Sequence, residues 1–495
     1  MTHKVLATCT VLVALLASPV ASAQTETPGQ PDSPQWLKDR KFSEGIGLRS
    51  GDFEFHPAIA GEVGYDSNFL LRTDRTNCGG APCANGPPGA PVVSALEFRI
   101  TPSLTMSTLT GIRRVGDAGD LQPDIAFRAS INATYRAFVG LENQGTGAND
   151  ITQENDPQNI SGAADARLDI MPGRPVNAGI FANYGHVVQP NVATIDPNLA
   201  FNRDDFGVGL DLGLQPSSGT LDWHFGYQLA GAIFEQSSAL GFDDLTSEVS
   251  TRGRWKFRPR TALVYDATLR FITYINEAEA QLQSLQNSTP VRTRIGLNGL
   301  ITDRFAALAL VGWGASFYDT SLLPQTPQYD SVIAQAELKW FIAQSPGVAA
   351  ALSDVSLAIS SITIGYDRDF QNSFFGNYYG TDRGYVRFAY LFAERILLTL
   401  DGGVGAIEYP NMYWLPPVPT SQALRHAAFT DIRADATLFG EYRLGSTFGL
   451  NATIRYTTNI SQTHDVLAEP PGQPQQFFDM SWQRIEAFIG ARLFW

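Results

Sequence analysis

The sequence predicts an all-β protein: a transmembrane, antiparallel, up-and-down β-barrel of about eighteen strands with short periplasmic turns and long extracellular loops. Three observations predict it. From residue 52 onward, apolar and polar side chains alternate with a period of two. Charged residues are 17% and hydrophobic ones 44%, yet beyond the N-terminal segment there is no run of about 20 apolar residues that a membrane helix needs. Tight connections also alternate with long polar ones along the chain.

The N-terminus reads as an export signal. Lys4 precedes the apolar stretch VLATCTVLVALLASPV, and Ala21-Ser22-Ala23 offers a small-residue cleavage site, so residues 1–23 form a secretory signal peptide cut before Gln24. The apolar stretch runs on past Cys9, which excludes a lipoprotein. Residues 24–51, polar and rich in Pro and Gly, read as a flexible periplasmic leader, and the barrel occupies 52–495.

The alternation is plain in PDIAFRASINATYRAF, where Ile125, Phe127, Ala129, Ile131, Ala133, Tyr135 and Ala137 oppose Arg128, Ser130, Asn132, Thr134 and Arg136. DDFGVGLDLGL and SEVSTRGRWKFR repeat it. Segments of this kind run over 53–67, 94–109, 123–139, 160–172, 175–188, 203–215, 219–235, 244–258 and 261–275. They continue over 289–302, 304–318, 329–344, 354–370, 379–393, 395–409, 426–442, 446–460 and 479–495. Of these, 354–370 alternates least. MPGRPV, QPSSGT, FRPRT, TDR, AER and RLGST are tight turns, with longer exceptions at 110–122 and 345–353. The regions 68–93, 140–159, 189–202, 276–288, 410–425 and 461–478 are long and polar.

Lipid offers no hydrogen-bond partner to a free strand edge, so a period-two sheet must close. The last strand, ending at Trp495, therefore pairs with the first, near Phe53. Tyr184, Trp255, Phe257, Trp313, Phe317, Trp340 and Trp482 fall where interfacial aromatic girdles are expected. A soluble array of β-sandwiches would neither alternate its loop lengths nor gather aromatics at strand ends. About eighteen strands enclose a lumen that wall side chains alone do not fill, leaving it to water, a folded-in loop or a plug. Cys78 and Cys83, close together in a Gly/Pro loop of an exported chain, are expected to form a disulfide.

Two stretches resemble known families. Gly490, Leu493 and Trp495 in GARLFW resemble the C-terminal assembly signal of bacterial outer-membrane proteins, although Phe488 stands where a polar residue is usual. The resemblance implies recognition by the barrel-assembly machinery. HPAIAGEVGYDSNFLLR, then VVSALEFRITPSLTMS and RASINATYRAF, are similar to the opening of the β-barrel porin 2 family of outer-membrane proteins. That family begins with a strand ending in Tyr-Asp-x-Asn, here Tyr65, Asp66, Ser67 and Asn68, followed by a strand with a central proline, here Pro102. Barrels of polysaccharide-secreting and gliding bacteria are similar too. The resemblance implies a bacterial outer-membrane location, contact with outer-membrane lipid, and partnership with periplasmic export-complex proteins.

The chain carries no HExxH, GxSxG or phosphate-binding loop. His224 shares a strand face with Asp222, the beginning of an imidazole–carboxylate pair, but no serine is placed beside them. Asp243 and Asp244 offer loop carboxylates of the kind calcium takes. No catalytic residue, cofactor or metal site is assigned. The net charge of −14 argues against nucleic acid as a partner.

The lumen charges are more informative. Arg252, Arg254, Lys256, Arg258, Arg270, Arg292 and Arg294 form a basic arc on one wall, against Glu248 and Asp266. Asp165, Asp169, Asp205 and Asp211 face inward on another, and Asp431, Asp435 and Glu441 on a third. Such an arrangement either sets a transverse field that selects solutes by charge or pairs across strands and solvates the wall. The expected function is a conduit for small hydrophilic solutes or for export of an extracellular polysaccharide. The alternative is a blocked barrel that binds partners in an envelope, gliding or secretion machine. A hydrolase built on His224 is a third class.

Overall fold

A computed structural model describes residues 47–69, 71, 73, 77–78, 81–84, 92–108, 124–139, 158–188, 202–216, 219–235, 241–282, 284–320, 325–342, 360–373, 376–392, 395–414, 423–461, 464–466 and 477–495. For Asn77–Cys78, Ala81–Ala84, Ala423–His426, His464–Val466 and Phe477–Asp479 the backbone alone is described. The signal peptide, nearly all of the leader and the Cys78–Cys83 pairing therefore lie outside the described residues and side chains.

Eighteen long strands form one antiparallel sheet that closes on itself. They are β1 (Phe53–Asp66), β2 (Ala95–Thr108), β3 (Ile125–Val139), β4 (Gln158–Ile170), β5 (Val176–Val187) and β6 (Arg203–Leu214). Next come β7 (Leu221–Phe234), β8 (Asp244–Arg258), β9 (Thr261–Tyr274), β10 (Ser288–Thr302), β11 (Phe305–Tyr318) and β12 (Tyr329–Phe341). The last are β13 (Ser361–Ser373), β14 (Asn377–Phe392), β15 (Ile396–Tyr409), β16 (Phe429–Arg443), β17 (Phe448–Ile460) and β18 (Trp482–Phe494). Among the described residues a single helical piece, α1 (Glu277–Leu282), follows β9. Leu48–Ser50 adds a short strand against Phe53–Phe55 at the end of the barrel that holds the termini.

The alternation decides which way each side chain points. On β1, Ile59, Val63 and Tyr65 face outward and exposed, while Glu54, His56, Glu62 and Asp66 are buried inside. On β18, Ile485, Ile489 and Leu493 face outward, and Arg484, Glu486 and Arg492 inward. The same holds around the wall, so the exterior is a continuous aliphatic band. In water such a band would cost about 25 cal/mol for every Å² of apolar surface left wet; in hydrocarbon it costs nothing. Trp255, Phe257 and Trp340 stand exposed on the outer surface near the short-turn end, and Tyr184, Trp313 and Phe317 toward the opposite end. This is the geometry of a transmembrane β-barrel.

Closure runs from Ala58↔Phe494 to Asp66↔Glu486. The Tyr-Asp-x-Asn stretch fastens it. Arg484 donates to Asp66 Oδ2 through Nε at 3.0 Å and Nη2 at 2.5 Å. The Ile485 N–H donates to Ser67 Oγ at 2.8 Å, and Asn68 Nδ2 to the Gln483 carbonyl at 2.9 Å. At the other end of the seam, the Trp495 N–H donates to the Pro57 carbonyl.

Two elements differ from the sequence expectation. β13 is described from Ser361, residues 354–359 of the expected segment lying outside the described residues, and it runs to Ser373, beyond 370. Its connection to β14 is short although it lies on the long-loop side: Ser373 stands opposite Asn377 in the register, and Gly376 and Asn377 adopt left-handed φ of +79° and +63°. Nothing in the alternation signals that turn, because Asp369 and Phe370 are both buried where the pattern would turn one of them outward.

The mouth on the long-loop side is narrowed from three directions. Phe234, Ile272 and Tyr274, inward at the ends of β7 and β9, pack with Phe242, Ala280 of α1 and Leu285. Phe138 and Ala95 receive Phe69 and Val93 from the first loop, with Phe69 and Phe138 rings 4.5 Å apart. The upper part of the β13–β14 hairpin docks on the wall at β10–β12: Phe370 stacks on Tyr329 at 4.2 Å and packs on Ile333. Arg292 of β10 spans β11 and β12 to donate to Asp369 Oδ1 at 3.0 Å and to the Phe370 carbonyl. Asn377 Oδ1 accepts the Gln286 N–H at 2.9 Å.

Candidate functional site

The lumen wall is lined with paired charge, and its rows follow the strand register. Residues two apart in a strand share a face, and opposite charges at that spacing find each other repeatedly. Arg99 donates to Glu97 through Nε at 2.6 Å and Nη2 at 2.9 Å. Arg167 reaches Asp169 at 2.5 Å, Arg203 reaches Asp205 at 2.9 Å and Arg443 reaches Glu441 at 3.1 Å. Arg484 approaches Glu486 at 3.4 Å.

Other pairs cross a whole strand, and glycine makes the crossing possible. Arg167 on β4 lies over Gly179 of β5 to reach Asp211 on β6 at 3.2 Å. A Cβ at Gly179 would stand 2.5 Å from Arg167 Nη2. Arg383 on β14 likewise lies over Gly403 of β15 to reach Asp435 on β16, through Nη2 at 2.9 and 2.7 Å. A Cβ at Gly403 would stand 2.6 Å from its Nε.

The basic arc lies on β8, β9 and β10. Arg254 donates to Asp222 of β7 at 3.0 Å, and Arg270 to Glu248. Arg294 donates to Asp266 at 3.0 Å, and Arg252 stands directly across from the same Asp266 in the register of β8 and β9. One carboxylate therefore lies between two guanidinium-bearing positions. Arg292 belongs to the hairpin contact above. Lys256 and Arg258 continue the β8 row to the short-turn end, where Arg258 is exposed.

The inward acids are distributed around the rest of the wall. Asp165 accepts from Ser130 Oγ at 2.5 Å. Asp431 accepts from Asn459 Nδ2 at 2.8 Å, and Glu441 from Arg492 at 2.6 Å. Along the seam the charges are deeply covered: Asp66 is 0% exposed, Glu441 1% and Glu486 2%. There Arg455 approaches Glu486 at 3.3 Å, and the Arg99 guanidinium lies 3.8 Å from the Phe488 ring centre. Phe488, the departure in the assembly signal, thus serves as the platform for Arg99 inside the lumen. Gly490 of that signal faces inward, while Leu493 and Trp495 are exposed.

His224 is held between two carboxylates, with Nδ1 3.0 Å from Asp211 Oδ2 and Nε2 3.0 Å from Asp222 Oδ1. Arg167 and Arg254 flank those carboxylates. Both ring nitrogens of His224 thus face carboxylates, and the residue links the charge rows of β6, β7 and β8. In the loop before β8, Asp243 is committed to protein donors: Oδ1 accepts the Phe234 N–H at 2.8 Å and Oδ2 accepts Asn276 Nδ2 at 3.3 Å. Burial pushes its carboxyl above the ordinary carboxylate range.

Sequence reasoning missed Arg167, Arg383 and the buried cluster of Glu97, Arg99, Arg484 and Glu486. The signal for most of them was present as opposite charges two residues apart.

No protein-family model matches the chain, and no curated protein matches its sequence. The resemblance to the β-barrel porin 2 family therefore rests on the sequence stretches quoted for it. Among solved structures the chain is similar to a BenF-like porin from Pseudomonas fluorescens Pf-5, with a TM-score of 0.44 and 11% identity over 90% of this chain and 99% of that one. It is also similar to OpdK from Pseudomonas aeruginosa, with a TM-score of 0.42 and 10% identity over 90% and 99%. OccAB4 from Acinetobacter baumannii gives a TM-score of 0.40 and 9% identity over 90% and 99%.

Proposed function

We propose that the chain is a bacterial outer-membrane conduit for small hydrophilic solutes, with the arc on β8–β10 favouring anionic ones. The observation that carries this is the row of cations on that wall: Arg252 and Arg294 stand on either side of Asp266 in the strand register, and the row runs on through Lys256 and Arg258 to the short-turn end. A row of fixed cations along a water-filled wall lowers the barrier for an anion and raises it for a cation. Lipid around the aliphatic band and the barrel-assembly machinery at the C-terminal signal are the partners this reading requires. Export of a polysaccharide, which the family resemblance implies, draws no support from the mouth, where three inward-packed clusters suit a small solute better than a polymer.

Planar bilayers test it. The refolded chain is expected to give discrete ohmic steps with anion preference. Arg252→Glu combined with Arg294→Glu should move the reversal potential in a salt gradient toward cation preference, because Asp266 would then face two further carboxylates. A folded barrel that passes no current would overturn the conduit and favour the partner-binding one. Current whose selectivity ignores both substitutions would remove the arc from the mechanism.

A further inference from the structure

We propose that the outward wall carries a divalent transition-metal site of the zinc type at the long-loop ends of β5, β6 and β7, formed by His186, Asp204 and Glu235. The three ligand atoms come from neighbouring strands and all lie within 4.8 Å of one another. His186 Nδ1 is 3.0 Å from Asp204 Oδ1 and 3.7 Å from Glu235 Oε1. Zinc with one imidazole and two carboxylates at about 2.0–2.2 Å requires ligand atoms spaced close to this, with a fourth position left for water. His186 and Asp204 are opposite one another in the register of β5 and β6. Glu235 is fixed just beyond β7 by its N–H, which donates to the Asn202 carbonyl at 3.0 Å.

The charge balance points to a cation. Among the described residues no arginine or lysine pairs with Asp204 or Glu235; their one cationic neighbour would be the imidazole itself. The outward wall offers an internal comparison. At β13–β14, Tyr366 donates to Asp382, and Arg368 Nη1 neutralises that aspartate at 2.9 Å. At β5–β6 the same motif recurs, Tyr184 donating to Asp204 at 2.7 Å, but a histidine and a second carboxylate stand where the arginine would be. A neutral imidazole and two carboxylates make a donor set with a charge of about −2, which a divalent ion cancels. The site is on the outside of the barrel and independent of conduction.

The test is calorimetric titration of zinc into the chelator-treated, full-length barrel folded in detergent. One equivalent is expected to bind, with affinity lowered about tenfold or more by His186→Ala and by Asp204→Asn, and cobalt in its place should give visible bands from a nitrogen–oxygen site. His224→Ala should leave zinc uptake unchanged. Heat-modified gel mobility, read on each variant, keeps loss of folding separate from loss of ligands. Absence of zinc uptake by the folded barrel, or uptake that survives His186→Ala or follows His224→Ala, would overturn the proposal.

Discussion

Arg484→Met is expected to destabilise the barrel by about 3–5 kcal/mol, the cost of leaving a buried carboxylate without its cation. Arg484 is 5% exposed, and its guanidinium serves Asp66 with two hydrogen bonds and approaches Glu486. Methionine fills much of the same volume, so the loss is of charge rather than packing. Asp66 cannot turn to solvent, since the Asn68 N–H holds its other oxygen at 2.9 Å. Denaturant unfolding followed by tryptophan fluorescence reads the loss. Asp66→Asn together with Arg484→Met should recover part of it, because the double change removes both charges. A single variant as stable as the parent would show that the latch contributes nothing to closure.

Phe370→Ala is expected to release the β13–β14 hairpin from the wall and raise single-channel conductance. Phe370 is 0% exposed; it stacks on Tyr329 and lies under the Arg292 guanidinium, 4.1 Å from its ring centre. Truncating a fully buried phenylalanine costs about 3–5 kcal/mol, a large loss for an inward fold held otherwise by the Asp369–Arg292 and Asn377–Gln286 contacts. The unfolding midpoint of the whole barrel should move less than that figure implies, since the hairpin tip opens without breaking the rest of the sheet. Unchanged conductance with a weakened hairpin would mean that the narrowest point lies elsewhere, at α1 or at the Phe69–Phe138 cluster.

The wall was legible in the sequence, and the interior was legible only in part. Alternation places Ile485, Ile489 and Leu493 outside and Arg484, Glu486 and Arg492 inside without reference to tertiary contacts, because a two-residue period allows each strand only two faces. The strand count follows from it. The inward hairpin is a different case. Phe370 is apolar and would pass for a lipid-facing residue; only its packing on Tyr329 and Ile333, at the end of β12 beyond the last register pair with β13, makes it interior. The charged rows lie between these cases. Arg167 and Asp169 announce their pairing by spacing, whereas the reach of Arg167 to Asp211 depends on Gly179 of the strand between them. Pairs that cross a strand are a property of the sheet, invisible to any window of a single strand.

The seam between the first and last strands has a kinetic consequence. Asp66 and Arg484 are 418 residues apart in the chain, so the bond that seals the barrel cannot form until almost all of the polypeptide has been made. Until then β1 carries a long run of unsatisfied amides and carbonyls, an invitation to pair with any extended chain nearby. An unfinished or clipped product lacking the final strand would present two such borders at once. Such a product would offer both borders to other extended chains instead of closing into a smaller cylinder.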